Sequence, residues 1–302
     1  MQADMGRIIS IVNQKGGVGK TTTAVNLASC FASLGQRVLL IDLDSQGNAT
    51  SGIGVDVNRL EHTMYDVLMQ HASLASVIRS TVIDNFHIAP SNVDLAGATV
   101  ELVPVEGREY RLREAVDSIK AHYDIILIDC PPTLGLLTIN GLVGSDEVLI
   151  PVQTEYYALE GLGQLLQTVT LVKEHLRPEL TILGAVLTMY DKRNKLSDAV
   201  FNDIYQYFPN KVFGTVIPRN VRVAEAPSHG MPVVEYDRTS KGAKAYKKLA
   251  REILVTLPGS GFRTGLDDHN EFQTSDNEED VPAPQPHSQT NNWPINNLWH
   301  MD

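Results

Sequence analysis

Ten residues near the start of the chain, NQKGGVGKTT at 13–22, bring together the groups that hold a string of phosphates. Gly16, Gly17 and Gly19 let the backbone come close to an anion and aim N–H groups at its oxygens. An apolar run precedes them and a helical pattern follows, so the loop ends at a helix N-terminus, whose partial positive charge adds to the attraction. In such a loop Lys20 reaches the β- and γ-phosphates, the Thr21 hydroxyl binds Mg²⁺, and Thr22 donates to the α-phosphate. Lys15 to Thr22, with Val18 included, therefore form the candidate nucleotide cradle. A purely structural glycine turn has no use for the lysine and the two threonines. The odd feature is a second lysine: Gln14 stands where the ordinary G-x-x-x-x-G-K-[ST] pattern has its first glycine, and Lys15 follows it. The glycine spacing is also not the G-x-G-x-x-G of dinucleotide-binding dehydrogenases.

Two acidic strand ends can complete such a site. LLIDLD at 39–44 places Asp42 at the end of an apolar run and Asp44 in the loop beyond it. Asp129 follows the apolar IILI at 125–128 and precedes Cys130, Pro131 and Pro132. A carboxylate beside a metal ion and a terminal phosphate is suited to orienting an attacking water. Capping or turn formation competes with that role, more strongly at Asp42 than at Asp44.

The elements that must position these groups are legible as short runs rich in Ile, Val and Leu, at 8–13, 37–42, 86–89, 124–129, 147–152, 181–188 and 215–218. They lack polar alternation, as expected of parallel strands covered on both faces. Helical periods lie between them. Ala24, Leu27, Ala28, Phe31 and Leu34 share one face, with Gly35 where a helix stops; 159–176, 197–208 and 242–257 also read as helices. Strands alternating with helices predict a three-layer α/β fold of the phosphate-loop NTPase type, a mostly parallel twisted sheet flanked by helices on both faces.

The chain has 302 residues, 43% hydrophobic and 20% charged, with a formal net charge of −11. The charge is uneven: from Pro258 onward there are one basic and eight acidic residues, a net of −7. A mildly acidic body leaves room for a local basic patch. The composition break separates a body over 1–257, which the phosphate loop marks as a nucleotide-binding domain, from a tail over 258–302 that reads as disordered and acidic. That tail holds both tryptophans, Trp293 and Trp299, in WPINNLWHMD; they read either as an accidental apolar end or as a linear motif for an unknown partner. The start lacks the basic, apolar and small-residue succession of a signal peptide, and no apolar run is long enough for a membrane span. The two cysteines, Cys30 and Cys130, lie in apolar surroundings. A cytoplasmic protein is the expectation.

K-G-G-V-G-K-T-T resembles the deviant phosphate loop of the ParA/MinD group of ATPases. The blocks ATSGIGV at 49–55, DCPPTLGLLTINGL at 129–142, PVQTEYYALEGL at 151–162, LTMYDKR at 187–193 and VIPRNVRVAEAPSHG at 216–230 resemble its chromosomal ParA/Soj subgroup, and together they span about residues 7–256. One departure is Ser45, where the family usually has proline. The resemblance implies that Lys15 reaches across a homodimer to the partner's nucleotide, as an arginine finger does elsewhere. It further implies that Lys15, Lys20 and Asp44 serve catalysis and that Asp129 holds Mg²⁺ through a water. Pro218 and Asn220 then flank the adenine with Met189 nearby, and Arg193 and Arg222 hold DNA. The function it implies is a weak Mg²⁺-dependent ATPase of DNA partition. As an ATP-bound dimer it binds double-stranded DNA without sequence preference, on the nucleoid, and it leaves when a ParB-type protein stimulates hydrolysis. A MinD-like membrane-positioning ATPase is the alternative, against which stands the acidic, proline-broken end where a basic amphipathic helix is needed. An iron–sulfur carrier lacks the cysteines, and a dead-site scaffold sits poorly with intact Lys20, Thr21, Asp44 and Asp129.

Overall fold

In a computed structural model, which describes residues 6–155, 158–191, 193, 204, 205, 208 and 211–255, the apolar runs become β1 (Arg7–Ile11), β2 (Val38–Asp42), β3 (Arg79–Ser80), β4 (Phe86–Ala89), β5 (Ile125–Asp129), β6 (Glu147–Gln153) and β7 (Thr181–Thr188). They make one sheet in the order β3-β4-β2-β5-β1-β6-β7. All neighbours are parallel except β3 and β4.

Successive side chains of a strand point to opposite faces, and here both faces are core. Ile8 joins one apolar cluster while Ile9 and Ile11 join the other; Leu39 and Ile41 are split in the same way from Val38 and Leu40, and Ile126 and Ile128 from Ile125 and Leu127. That is why the strands read as unbroken apolar runs. One face is covered by the helices Lys20–Ser33 and Lys241–Val255, which pack on each other through residues such as Phe31 and Tyr246. The other is covered by the helices Arg111–Asp117, Leu136–Gly144 and Ala158–His175. The first helix stops as its sequence predicts: Gly35 takes φ +85° and its N–H donates to the Ala32 carbonyl at 2.9 Å.

The structure differs from the sequence reading in two places. The segment 215–218 is not a strand; the Ile217 amide donates to the Leu187 carbonyl of β7 at 2.8 Å, and pairing is otherwise limited, among the described residues, to isolated bridges, Tyr190 with Pro218 and, just upstream, Ala185 with Val212. Its start is held elsewhere, because the Gly214 and Thr215 amides donate to the Glu252 carboxylate at 2.8 and 3.1 Å, and Pro218 has no N–H to extend a ladder. The two-residue antiparallel β3 is too short to announce itself by pattern. The helix expected over 197–208 has only Ile204, Tyr205 and Phe208 among the described residues. The predicted tail, Trp293 and Trp299 lie outside them. Among the described residues no helix is long and apolar enough to cross a membrane.

Candidate nucleotide site

β1, β2 and β5 are neighbours, so their carboxyl ends bring the glycine loop, Asp42 and Asp129 to one edge of the sheet, where ligands bind in open α/β folds. The loop is built to leave space. Gly17 and Gly19 adopt φ +74° and +88°, in the left-handed region that side chains resist. A methyl group placed on Gly16 would meet no atom within 4 Å. Tethers from below set its shape. The Asn13 side chain accepts from the Lys15 N–H at 3.0 Å and donates to the Pro151 carbonyl at 2.7 Å, while the Thr188 hydroxyl donates to the Val18 carbonyl at 2.8 Å. Helix Lys20–Ser33 then begins with neither a side-chain cap nor an acidic residue in its first turn. That end is left for an external anion.

Lys20 is buried and its ammonium donates to the Lys15 carbonyl at 3.3 Å. Burial lowers its pKa, against the pull of Asp129 and Asp44, which favour the charged form. Asp129 is fully buried, and neither of its carboxylate oxygens has a hydrogen-bond partner among the described residues. Its pKa is raised by that burial and by Asp42, its register partner on β2, while Thr21 and Lys20 pull the other way. An orphaned buried carboxylate beside a threonine hydroxyl offers the hard oxygens that a hydrated divalent cation takes.

The neighbouring aspartates divide their labour. Asp42 accepts from the Thr50 amide at 2.9 Å and hydroxyl at 2.7 Å, and from the Asp44 amide at 3.2 Å. It therefore organises the turn between β2 and the helix Asn48–Gly52. The Asp44 carboxylate accepts, among the described residues, one bond, from the Gln46 amide at 3.0 Å, and Asp44 lines the cavity. Cys130 is buried with its thiol pKa pushed up by desolvation, and a methyl on Gly141 would come within 2.5 Å of its sulfur. It packs; it does not react.

The cavity holds about 500 Å³ and is lined by Gly16, Gly17, Gly19, Lys20, Thr21, Thr22, Asp44 and Met189 of the groups singled out in the sequence. Its other wall was not foreseen: Val25, Asn26, Ser51, Gly52, Pro227 and Met231, with Gln46, Asn48 and Pro132 at the polar end. Asn26 belongs to that wall structurally, since its side chain accepts from the Val233 amide at 2.7 Å and donates to the Thr22 carbonyl at 2.7 Å. What brings the segment 226–231 over 48–54 is a backbone approach. A methyl on Gly230, at φ +64°, would stand 3.0 Å from the Gly54 Cα. Gln46 and Asn48 are polar residues of a phosphate-side loop and legible as such; Pro227 and Met231 carry no chemical signature.

The remaining candidates lie outside that lining. Pro218 bridges Tyr190, the neighbour of Met189, and Asn220 caps the helix Val221–Glu225 by accepting from the Val223 amide at 3.4 Å. Lys15 is on the rim, its ammonium 2.9 Å from a Glu155 oxygen. Arg193 is 90% exposed and forks onto Asp191 at 3.0 and 2.8 Å, which holds the Asp191 carboxyl down at about 2. Arg222, half exposed, pairs with Glu225 at 3.0 Å and Asp237 at 3.5 Å.

A loop that cradles an anion, a lysine inside it and a second on its rim define a narrow group of proteins, and comparison bears this out. A family model described as an AAA domain matches residues 6–182. Sporulation initiation inhibitor protein Soj of Bacillus subtilis is 55% identical over 251 residues, covering 83% of this chain and 99% of that protein. Chromosome partitioning protein ParA of Myxococcus xanthus is 49% identical over 252 residues, covering 83% and 89%. Among solved structures, cobyrinic acid a,c-diamide synthase from Mycobacterium smegmatis with bound ADP and magnesium is similar at a TM-score of 0.74 and 36% identity, covering 83% of this chain and 95% of that one. With identity of about half sustained over 83% of its length and the phosphate loop intact, the chain belongs to the Soj/ParA family of chromosome-partitioning ATPases.

Proposed function

We propose that this chain binds ATP with Mg²⁺ and pairs with a second copy of itself across the two nucleotides. The pair holds duplex DNA without regard to sequence and releases it after hydrolysis stimulated by a ParB-type partner, on the nucleoid in the cytoplasm. The observation that carries the reading is the opposite placement of the two loop lysines. Lys20 is buried inside the cradle, whereas the Lys15 side chain stands a third exposed on its rim. A rim lysine suits the phosphates of a facing copy, where it offsets charge that develops on the transferred phosphoryl group, the part an arginine finger plays elsewhere.

The loop amides and Lys20 hold the β- and γ-phosphates in place. Thr21, and Asp129 through a water, would hold Mg²⁺, which when bound would offset the negative charge of the phosphates. Asp44, with one oxygen anchored on the Gln46 amide, keeps the other for orienting the attacking water. Pro218 and Asn220 would flank the adenine, with Met189 nearby in the cavity lining. Arg193 and Arg222 hold DNA phosphates; their present carboxylate pairs are exposed, weak and exchangeable. The MinD-type reading has less support, since the relatives at 49–55% identity carry partition names.

The test is ATP turnover measured alone, with DNA, with a ParB-type protein and with both, beside DNA retention in ATP and in ADP. Joint stimulation and ATP-dependent retention are expected. Turnover indifferent to both additions, or retention independent of nucleotide, overturns the proposal.

A further inference from the structure

The helix Lys241–Val255, KGAKAYKKLAREILV, carries five basic residues and one acid. Its apolar side is occupied: Ala243, Tyr246, Leu249, Ala250 and Ile253 are buried in the core beside the helix Lys20–Ser33. Lys241, Lys244, Lys248 and Arg251 are all exposed. At about 100° per residue they fall within an arc of about 80°, along about 15 Å of helix. None of the four enters an ion pair or side-chain hydrogen bond among the described residues, in contrast to Arg193 and Arg222, each already neutralised by carboxylates. The helix's one acid does not relieve them. Glu252 is turned to the Gly214 and Thr215 amides, at 2.8 and 3.1 Å. The stripe also adjoins the segment that bears Arg222: the helix's second residue, Gly242, packs so tightly that an added methyl would lie 2.2 Å from the Val223 side chain and 3.5 Å from that of Asn220.

We propose that Lys241, Lys244, Lys248 and Arg251 form a second, continuous seat for the phosphate backbone of duplex DNA, extending the surface begun by Arg222. Four cations in a row, with no ion pair among the described residues, suit a polyanion with one charge per about 1.7 Å of axis. The chemistry favours a nucleic-acid backbone over an anionic membrane, because a helix that binds lipid needs a free apolar face and this one is spent on the core. The contacts are to phosphates, so they add affinity and salt dependence without sequence preference. This inference rests on the DNA-partition reading above.

The experiment compares the full-length chain with K241Q/K244Q/K248Q/R251Q. Both are assayed in ATP for binding to a duplex of arbitrary sequence across a salt series and to phosphatidylglycerol vesicles. The four positions are exposed, so the variant is expected to melt with the wild type and to dimerise with ATP. Two milder double variants, K241Q/K244Q and K248Q/R251Q, replace it if it does not fold. The expected result is a salt slope shallower by about 3 per protomer and DNA affinity at least about tenfold weaker near physiological salt. Unchanged affinity and slope, with the wild type binding DNA, overturn this inference alone. Loss of vesicle binding with DNA binding intact overturns it in favour of a membrane surface. A wild type that holds no DNA in ATP overturns the partition reading and this inference with it.

Discussion

Lys15 and Lys20 are separated by a single loop, yet the fold gives them different work, and substitution should separate the two. Lys15→Ala is expected to leave ATP binding little changed, because Lys20 and the loop amides remain, but to abolish ATP-driven dimerisation in light scattering. Partner-stimulated turnover should fall at least about 10³-fold, the scale of a charge supplied across an interface. Normal dimerisation of this variant would refute the trans role. Asp44→Ala should cut turnover about 10²-fold or more while the ATP-bound dimer persists on DNA; wild-type turnover would remove Asp44 from the mechanism. Asp42 obeys a different logic. Its pKa is raised by burial to about 6 from an ordinary 3.8, so the folded state holds that proton more tightly than the unfolded chain does. The stabilisation this contributes is complete below about pH 4 and is lost as pH rises through about 6. Nucleotide-free wild type should therefore gain in melting temperature relative to Asp42→Asn as pH falls from 7 to 5, and a pH-independent difference would contradict this. At this scale the sequence was informative: Lys20, Thr21 and Asp44, nominated by type and spacing, all line one cavity. The pairing of Lys15 with Glu155, 140 positions apart, was not.

At the scale of elements, two glycines separate fold from function. Gly16→Ala places a methyl where no protein atom lies within 4 Å, so melting should stay within about 0.5 kcal/mol of wild type. The phosphates need that space, and nucleotide affinity should drop in calorimetry. Gly230→Ala should do the reverse first. Its φ of +64° and the 3.0 Å approach to the Gly54 Cα predict a loss of about 1–3 kcal/mol in stability. Weaker nucleotide binding should follow as the cavity wall moves; a variant with wild-type melting would refute the close-packing account. The strands and first helix were legible because burial on both faces writes itself as unbroken apolar runs and because Gly35 marks a stop. The wall made by Pro227 and Met231 was hidden. Its residues act through shape, and shape depends on a contact between segments far apart in the chain.

For the whole molecule, the distribution of charge decides what the body can bind. The formal net charge is −11, so any affinity for DNA must come from local basic surface overcoming a repulsive mean field. Arg193→Glu with Arg222→Glu is expected to abolish retention on DNA at low salt while ATP-driven dimerisation stays normal; undiminished retention would remove these arginines from the interface. The sequence by itself determined the phosphate chemistry, the α/β class and the family, since these follow from local motifs and from a periodicity imposed by a sheet buried on both sides. Only the tertiary structure decided which charges are spent. It turns Asp42 into a brace for Thr50 and leaves the Asp129 carboxylate oxygens with no hydrogen bond among the described residues. It neutralises both nominated arginines and lines up four cations of the last described helix that have no ion-pair partner among the described residues. The physical reason is that charge and type are properties of a residue, whereas pairing and burial belong to its neighbours in space.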